Sequence, residues 1–227
     1  TSVDIPEKTV DGYSTQTSRG LINSRSVIVA CGGPSIPKMG ASRFGYKIAQ
    51  SFGLSLIEPR PALVPLTITG DDAEALATLS GVSTGARISN ALASFQEALL
   101  ITHRGLSGPA ILQISSYWEE GQSITIDLMP NVDIRTRLNS ARQSHGRQSP
   151  KAFLDVFLPS RLAVYIAEKI GGAQIGSLSK SQIDALIAHV GAWTVRPAGT
   201  EGYRKAEVTL GGIDTQHLSS KTMEARG

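Results

Sequence analysis

Cysteine, aromatic residues and runs of like charge are all scarce in this chain, and each shortage removes a class of protein. Cys31 is the only cysteine among 227 residues, so no intramolecular disulfide and no multi-cysteine zinc site can form. That usage fits a reducing compartment. Aromatic residues make up 5%, and no basic stripe with interleaved aromatics appears, as a single-strand nucleic-acid binder would show. No run of five or more like charges occurs, and Lys and Arg read as scattered. No apolar run approaches the roughly 20 residues that span a bilayer. The opening TSVDIPEKTV lacks the apolar segment of a signal peptide. G-x-G-x-x-G, the Walker loop, G-x-S-x-G and H-E-x-x-H are all missing. His103, His145, His189 and His217 lie too far apart in sequence for metal-ligand spacing, so no metal site is expected. Asp71-Asp72 reads as a solvated turn.

What is present is the balance of a soluble globular protein: 41% hydrophobic and 18% charged residues. The length suits one large domain or two small ones. The net charge of +3 and pI of 9.1 fit an ordinary solvated surface. A nucleic-acid-binding protein would rest on that pI alone. The expectation is therefore a cytoplasmic protein with no nucleic acid and no membrane.

Along the chain, residues 13–17 and 21–30 bracket a turn at Ser18-Arg19-Gly20. Val27-Ile28-Val29-Ala30 reads as a strand buried on both faces, running into Gly32-Gly33, with Cys31 as a small buried residue. A helix is expected over 44–52 with Gly53 as its stop. Pro59, Pro61 and Pro65 make 62–69 an edge strand or connector. Strands follow over 81–102. Ser107 offers a cap for a helix with Pro109 in its first turn. Ile124, Ile126 and Leu128 alternate as a half-buried strand. Residues 132–190 turn helical, with Ser160 as one cap and Ser179/Gln182 as a capping box. In the last helix Ile183, Leu186, Ile187 and Val190 share a face. Strands return at 193–196 and 206–210. Residues 144–150 and 198–203 read as linkers.

Three segments can carry chemistry. Ala30-Cys31-Gly32-Gly33 ends a strand in two glycines, which lets main chain approach a flat or charged ligand; a tight turn is the plain alternative. Thr102 to Pro109 lies between a strand and a helix start, where free N–H groups hold anions or polar edges. His103 there is a residue type suited to carrying protons; a capped helix beside a satisfied loop histidine is the alternative. Thr209-Leu210-Gly211-Gly212 repeats the strand-to-diglycine pattern, with a bulge as the plain reading.

Taken together, VIVACGGPSIPKMG (27–40), GYKIAQSFG (45–53), RPALVPL (60–66), THRGLSGPAILQIS (102–115), IDLMP (126–130) and KAEVTLGGI with KTME (205–213, 221–224) resemble the bacterial NAD(P)/FAD-dependent oxidoreductase family that includes aminoacetone-oxidase-like and BaiN-like flavoproteins. The resemblance runs over nearly the whole chain. It implies an α+β protein: part of a Rossmann-like FAD domain with an inserted β-barrel-like domain carrying a helical lobe. The implied boundaries are 1–57 and 205–227 for the FAD domain, 58–130 and 192–204 for the β-rich insertion, and 131–191 for the lobe. The family's dinucleotide fingerprint and its final flavin segment are not in these residues, so the chain reads as an internal piece.

The resemblance implies FAD as cofactor, with NAD(P)H as a possible electron donor, and hydride transfer on an unidentified small molecule. Ala30, Cys31, Gly32, Gly33, Thr209, Gly211 and Gly212 are implied as cofactor-binding. Thr102, Gly105, Ser107 and Gly108 are implied as substrate-side, and His103 is the candidate catalytic residue. Two departures stand out: Cys31 where Thr is frequent, and Gly40-Ala41-Ser42-Arg43-Phe44-Gly45-Tyr46 where a Gly-Ser-Thr-Gly-Asp-Gly-Tyr-like run is usual. The alternative is a non-enzymatic ligand- or partner-binding module without flavin. Without the upstream phosphate loop, weak or no FAD binding is expected of this piece alone.

Overall fold

The computed structural model describes residues 2–225. The backbone divides into two compact units, one built from residues up to Pro61 and from Gly202 onward, the other from Ala62–Glu201. The first unit opens with an antiparallel meander of β1 (Glu7–Thr9), β2 (Gly12–Thr17) and β3 (Gly20–Ser24). The β2–β3 turn is closed by the Thr17 hydroxyl, which donates to the Gly20 carbonyl at 2.8 Å and accepts from the Arg19 N–H at 3.1 Å.

The run after β3 differs from expectation. Residues 26–33 pair with no strand among the described residues, and Ile28 is 90% exposed. A doubly buried strand needs a hydrogen-bonded neighbour and cover on each face, and the described residues give this run neither. Cys31 is exposed as well. α1 (Phe44–Ser51) follows. Its exit is shaped by Gly53, at φ 75°, whose N–H reaches the Gln50 carbonyl at 3.0 Å. β4 (Leu56–Ala62) carries Pro59 and Pro61 and lies in a two-stranded ladder, where a missing donor is tolerated.

The second unit holds β5 (Leu66–Thr67), α2 (Asp71–Ala77), β6 (Ser83–Ser89), β7 (Ser94–Thr102), β8 (Gly105–Ser107), α3 (Pro109–Ser115), β9 (Ile124–Asp127), α4 (Ile134–His145), α5 (Pro150–Leu154), α6 (Ser160–Ile170), α7 (Lys180–Gly191), β10 (Trp193–Val195) and β11 (Gly199–Thr200). Asp71 and Asp72 stand at the helical start of α2 rather than in a turn; their side chains lie outside the described ones. The seven strands form one antiparallel sheet in the order β10-β9-β6-β7-β8-β5-β11. Its edges are β10 and β11, so the sheet is open among the described residues. β5, expected at an edge, lies between β8 and β11; Pro65 falls just before it and uses its carbonyl to accept from the Glu201 N–H at 3.0 Å.

Period-two alternation builds the core. Ala86 and Ile88 of β6, Leu99 and Ile101 of β7, and Ile124 and Ile126 of β9 are all buried. Ile88 stands opposite Ile126 in register. α3 lays Ala110, Ile111 and Ile114 on β6 and β7. Each fully buried large aliphatic side chain contributes about 1.5–3 kcal/mol. The buried Ser115 hydroxyl is satisfied twice, accepting from the Val64 N–H at 3.0 Å and donating to the Leu112 carbonyl at 2.7 Å. Ser107 does not cap α3: it ends β8, and Gly108 occupies the N-cap without a side-chain bond.

The helical lobe is capped by side chains at three of its four starts. Asp133 accepts from the Thr136 N–H, Ser149 from the Ala152 N–H, and Ser179 and Gln182 form the reciprocal capping box. Ser160 is already inside α6, whose N-cap is Pro159. Ile183, Leu186 and Val190 bury the face of α7.

β12 (Val208–Ile213) returns to the first unit and pairs with β4. The hydrophobic core is unequally shared: its continuous cluster runs from Leu66 to Val195, all in the second unit. Among the described residues the first unit adds only Ile48, Ala49 and Ala206 to the buried apolar set. No helix among the described residues is long and apolar enough to cross a membrane.

Candidate functional site

One glycine from each of two diglycine pairs, Gly33 and Gly212, lies against Tyr46 of α1 in the first unit. A Cβ at Gly33 would stand 2.8 Å from Thr209 Oγ1 and 3.0 Å from the Tyr46 hydroxyl oxygen. A Cβ at Gly212 would lie 3.5 Å from the Tyr46 ring. At Gly211, φ is +82°, and a Cβ would be driven to 2.6 Å from the Glu58 carbonyl oxygen. Glycine is what lets β12 lie this close to β4. Ser35 ties the two segments together. Its N–H donates to Thr209 Oγ1 at 3.3 Å, and the two hydroxyls are 2.8 Å apart.

Arg43 lies 5.8 Å from the Tyr203 ring centre and 4.0 Å from Glu58. The Tyr203 hydroxyl donates to the Pro59 carbonyl, and the Tyr203 carbonyl accepts from the Ile36 N–H at 3.1 Å. Burial pushes the Tyr46 phenol above its ordinary pKa; Tyr203 and Cys31 add to the rise, and the Arg43 guanidinium works against it. Tyr46 is thus a neutral hydroxyl at physiological pH. Cys31 sits next to Gly45, its sulfur 2.8 Å from where a Gly45 Cβ would be. Ala30, Cys31 and Gly32 are exposed, and no atom lies within 4 Å of the position a Cβ on Gly32 would take. The result is a strip of bare main chain beside a neutral phenol, an arrangement suited to holding a flat, uncharged surface.

The other candidate residues belong to the second unit. β7 and β8 form a hairpin with Thr102 opposite Gly105, which puts His103 and Arg104 at its two-residue tip. His103 is exposed and makes no hydrogen bond among the described residues. The Thr102 hydroxyl closes the turn, donating to the Gly105 carbonyl and accepting from the Arg104 N–H, both at 3.2 Å. Arg104 reaches Glu201 at 3.5 Å, and the Glu201 side chain is only 9% exposed. A Cβ on Gly105 would collide with the Leu66 carbonyl at 2.3 Å, and one on Gly108 with the Ala98 carbonyl at 2.7 Å. Sheet packing therefore accounts for both glycines. Ser107 is half-buried at the end of β8. His145 lies beside Ser144, His189 beside the Ala185 carbonyl, and His217 beside Ser55. No group of three or more metal-ligating side chains gathers among the described residues.

One surface went unseen in the sequence reading. Between residues 131 and 151 stand Arg135, Arg137, Arg142, Arg147 and Lys151 against the single acid Asp133. A search for consecutive charges overlooks basic residues spaced along a helix; net charge per predicted element would have found them.

A mixed α and β protein emerges, with an open antiparallel sheet and a four-helix lobe in the second unit, and strands around a diglycine junction in the first. A family model described as "HI0933-like protein barrel and H2TH domain" matches residues 60–208, and the chain belongs to this HI0933-like family. It is 46% identical over 218 residues to the ribosomal RNA dihydrouridine synthase of Escherichia coli (strain K12), a match covering 95% of this chain and 54% of that protein. To the ribosomal RNA dihydrouridine synthase of Haemophilus influenzae it is 45% identical over 204 residues, covering 88% of this chain and 51% of the relative. To the 3-dehydro-bile acid delta(4,6)-reductase of Clostridium scindens it is 28% identical over 218 residues, covering 88% and 52%. The chain spans about half the length of the curated relatives it matches.

These relatives are named as enzymes, and they correct two expectations. The two most similar of the three carry the name of an RNA-modifying synthase, not of an aminoacetone oxidase. The expected absence of a nucleic-acid partner is overturned, because both are named for ribosomal RNA. The expectation weighed overall pI and runs of charge, and passed over the local excess of basic over acidic residues between 131 and 151.

Proposed function

We propose that this chain is part of a flavin-dependent oxidoreductase that reduces a uridine base in ribosomal RNA to dihydrouridine. The observation that carries the flavin half is the meeting of Gly33 and Gly212 on Tyr46, beside exposed main chain at Ala30–Gly32. The RNA half rests on the names of the relatives at 46% and 45% identity. The Rossmann-like assignment of the first unit belongs to the same proposal, as does a cytoplasmic location, where ribosomal RNA is found.

The residues suit such a ring. Ala30, Cys31, Gly32 and Gly33 would hold one edge with main-chain donors and acceptors, and Thr209, Gly211 and Gly212 would border it. When bound, a reduced flavin supplies the hydride, with NAD(P)H as the proposed source of electrons. Dihydrouridine formation adds one hydride and one proton across a carbon–carbon double bond. Tyr46 keeps its own proton at its phenolic oxygen and serves as a neutral hydrogen-bonding wall. Thr102, Gly105, Ser107 and Gly108 remain the proposed substrate-side segment, with His103 as the proposed proton carrier; its free ring at a hairpin tip is accessible for that task. The remaining flavin contacts would come from outside these 227 residues. A small-molecule substrate is the second reading, favoured by the 28% identity to a bile-acid reductase.

The test is reconstitution of the full-length protein with FAD, desalting, and reaction with unmodified ribosomal RNA and NADPH. Flavin absorbance retained in proportion to protein, and dihydrouridine found by nucleoside mass spectrometry, are expected. A colourless protein would remove the flavin half; a yellow one that leaves ribosomal RNA unchanged would remove the RNA half.

A further inference from the structure

We infer that the groove between α4 and the segment following α5 is a docking site for a single-stranded stretch of RNA, with cations on its rim for phosphates and an apolar floor for a base. The groove has a volume of about 760 Å³. Arg137, Ser140, Ser144 and His145 line it from α4, and Val156 and Phe157 line it from the other side. Arg147 borders the adjoining recess with His145. The inference rests on the reading of RNA as substrate and adds where the RNA is held.

Charge complementarity decides the occupant. Two acids stand nearby: Asp155 is charge-compensated, while Asp133 lines the groove and stays ionised, its pKa lowered by the hydrogen bonds from Thr136, and is outnumbered by Arg137 and Arg147. Asp133 caps α4 through the Thr136 N–H at 3.1 Å and the Thr136 hydroxyl at 2.6 Å, and Asp155 pairs with Lys151. Two of the basic residues are likewise committed within the protein. Arg135 pairs with Asp184 at 3.0 Å, and Arg142 donates to the carbonyls of Ile175, Gly176 and Leu178. Arg137 and Arg147 are exposed and make no ion pair among the described residues. Two guanidiniums without an ion pair and the Ser140 hydroxyl suit a phosphodiester chain. Val156, at 72% exposed, and the half-buried Phe157 offer the kind of surface on which a nucleobase rests and which a purely acidic peptide would not use.

The experiment measures binding of a labelled single-stranded oligouridine RNA to the 227-residue chain by fluorescence anisotropy over a series of salt concentrations, with no flavin present. Arg137→Ala with Arg147→Ala is expected to weaken binding about tenfold and to reduce the slope of log affinity against log salt by about 1.4, since each single-strand phosphate contact carries about 0.7. Val156→Ser is expected to weaken binding about threefold through lost apolar contact and to leave the slope unchanged. Lys8→Ala with Lys221→Ala, which removes equal charge elsewhere, is expected to change little. No binding by the parent chain, equal losses in the groove and control variants, or displacement of the RNA by polyglutamate at equal charge would each overturn the proposal. Because flavin is absent, a failed flavin reading leaves this result untouched. Failure here with dihydrouridine formation intact would move the RNA contact elsewhere.

Discussion

Adding one carbon at Gly33 tests the junction on which the site is built. Gly33→Ala places a Cβ 2.8 Å from Thr209 Oγ1, 3.0 Å from the Tyr46 hydroxyl oxygen and 3.1 Å from Thr209 Cβ. No ordinary carbon contact is that short, so something must move. The phenol is the tip of a stiff ring, and Thr209 is β-branched on a strand. Overpacking of this kind costs about 1–3 kcal/mol. Displacing Thr209 also strains its bonds to Ser35, worth about 1 kcal/mol net. The expected loss is therefore about 2–4 kcal/mol, confined to the first unit. Both tryptophans, Trp118 and Trp193, lie in the second unit, so indole fluorescence follows that unit. Hydrogen exchange at Ser35 and Ile36 in urea reads the first. Thr209→Ala removes the shortest contact, so the double variant should lose less than the sum of the singles by about 1 kcal/mol. A cost of Gly33→Ala below about 0.5 kcal/mol, or additivity within about 0.5 kcal/mol, would refute the close approach.

Other outcomes follow from the same contacts. Arg142→Ala should lower the stability of the lobe by about 1.5–3 kcal/mol, the range for hydrogen bonds from a charged donor. Arg142→Lys should not restore it, since one ammonium cannot reach all three carbonyls now held; urea unfolding followed by tryptophan fluorescence measures both. Ser179→Ala breaks the capping box of α7 and should cost about 1 kcal/mol, read as a lower melting temperature by circular dichroism. The Tyr46 phenol is raised above 10.0 by burial. Its contribution to stability should be fully present below the unfolded value and be lost as pH rises through the folded one. Tyr46→Phe should abolish that alkaline component in a pH titration of stability; an unchanged profile would contradict the burial.

Much of the second unit was legible because local chemistry and global fold agree there. The alternation of Ile124 and Ile126, the i, i+3, i+4, i+7 face of α7, and the Ser179/Gln182 pair each report short-range geometry, and the elements formed, with β9 ending short of Leu128 and Ile187 only half-buried. Two caps were misread for one reason. Ser107 and Ser160 have the right side chain, but cap position depends on where the backbone turns: a strand intervenes after Gly105, and Pro159 already starts α6. In the first unit, Val27–Ala30 has the composition of a buried strand, but composition states a preference for burial without supplying the neighbours that satisfy it. The meeting of Gly33 with Thr209 and Tyr46 is a long-range contact, invisible to periodicity. The groove at α4 was missed because its two cations, Arg137 on α4 and Arg147 beyond its end, are separated in sequence instead of written side by side.

The unequal burial gives the two units different physical characters. The second unit makes its stability from its own side chains: a continuous apolar cluster from Leu66 to Val195, with its buried serine satisfied and its helix ends capped. Such a body holds surface residues such as Arg137 and Arg147 on a rigid support, which recognition of a polyanion requires. The first unit exposes Leu21, Ile22, Ile28, Ile57 and Val208 while burying little. It gains little from apolar transfer, so its ordering depends on backbone proximity, on Ser35–Thr209, and on whatever covers that surface. A ligand that binds only the ordered form stabilises it by mass action. A thinly cored unit therefore gains more, relative to its own stability, from a large planar cofactor than a well-cored one does. Under the proposed function, a ring system seated on Ala30–Gly33 would stabilise the first unit in this way.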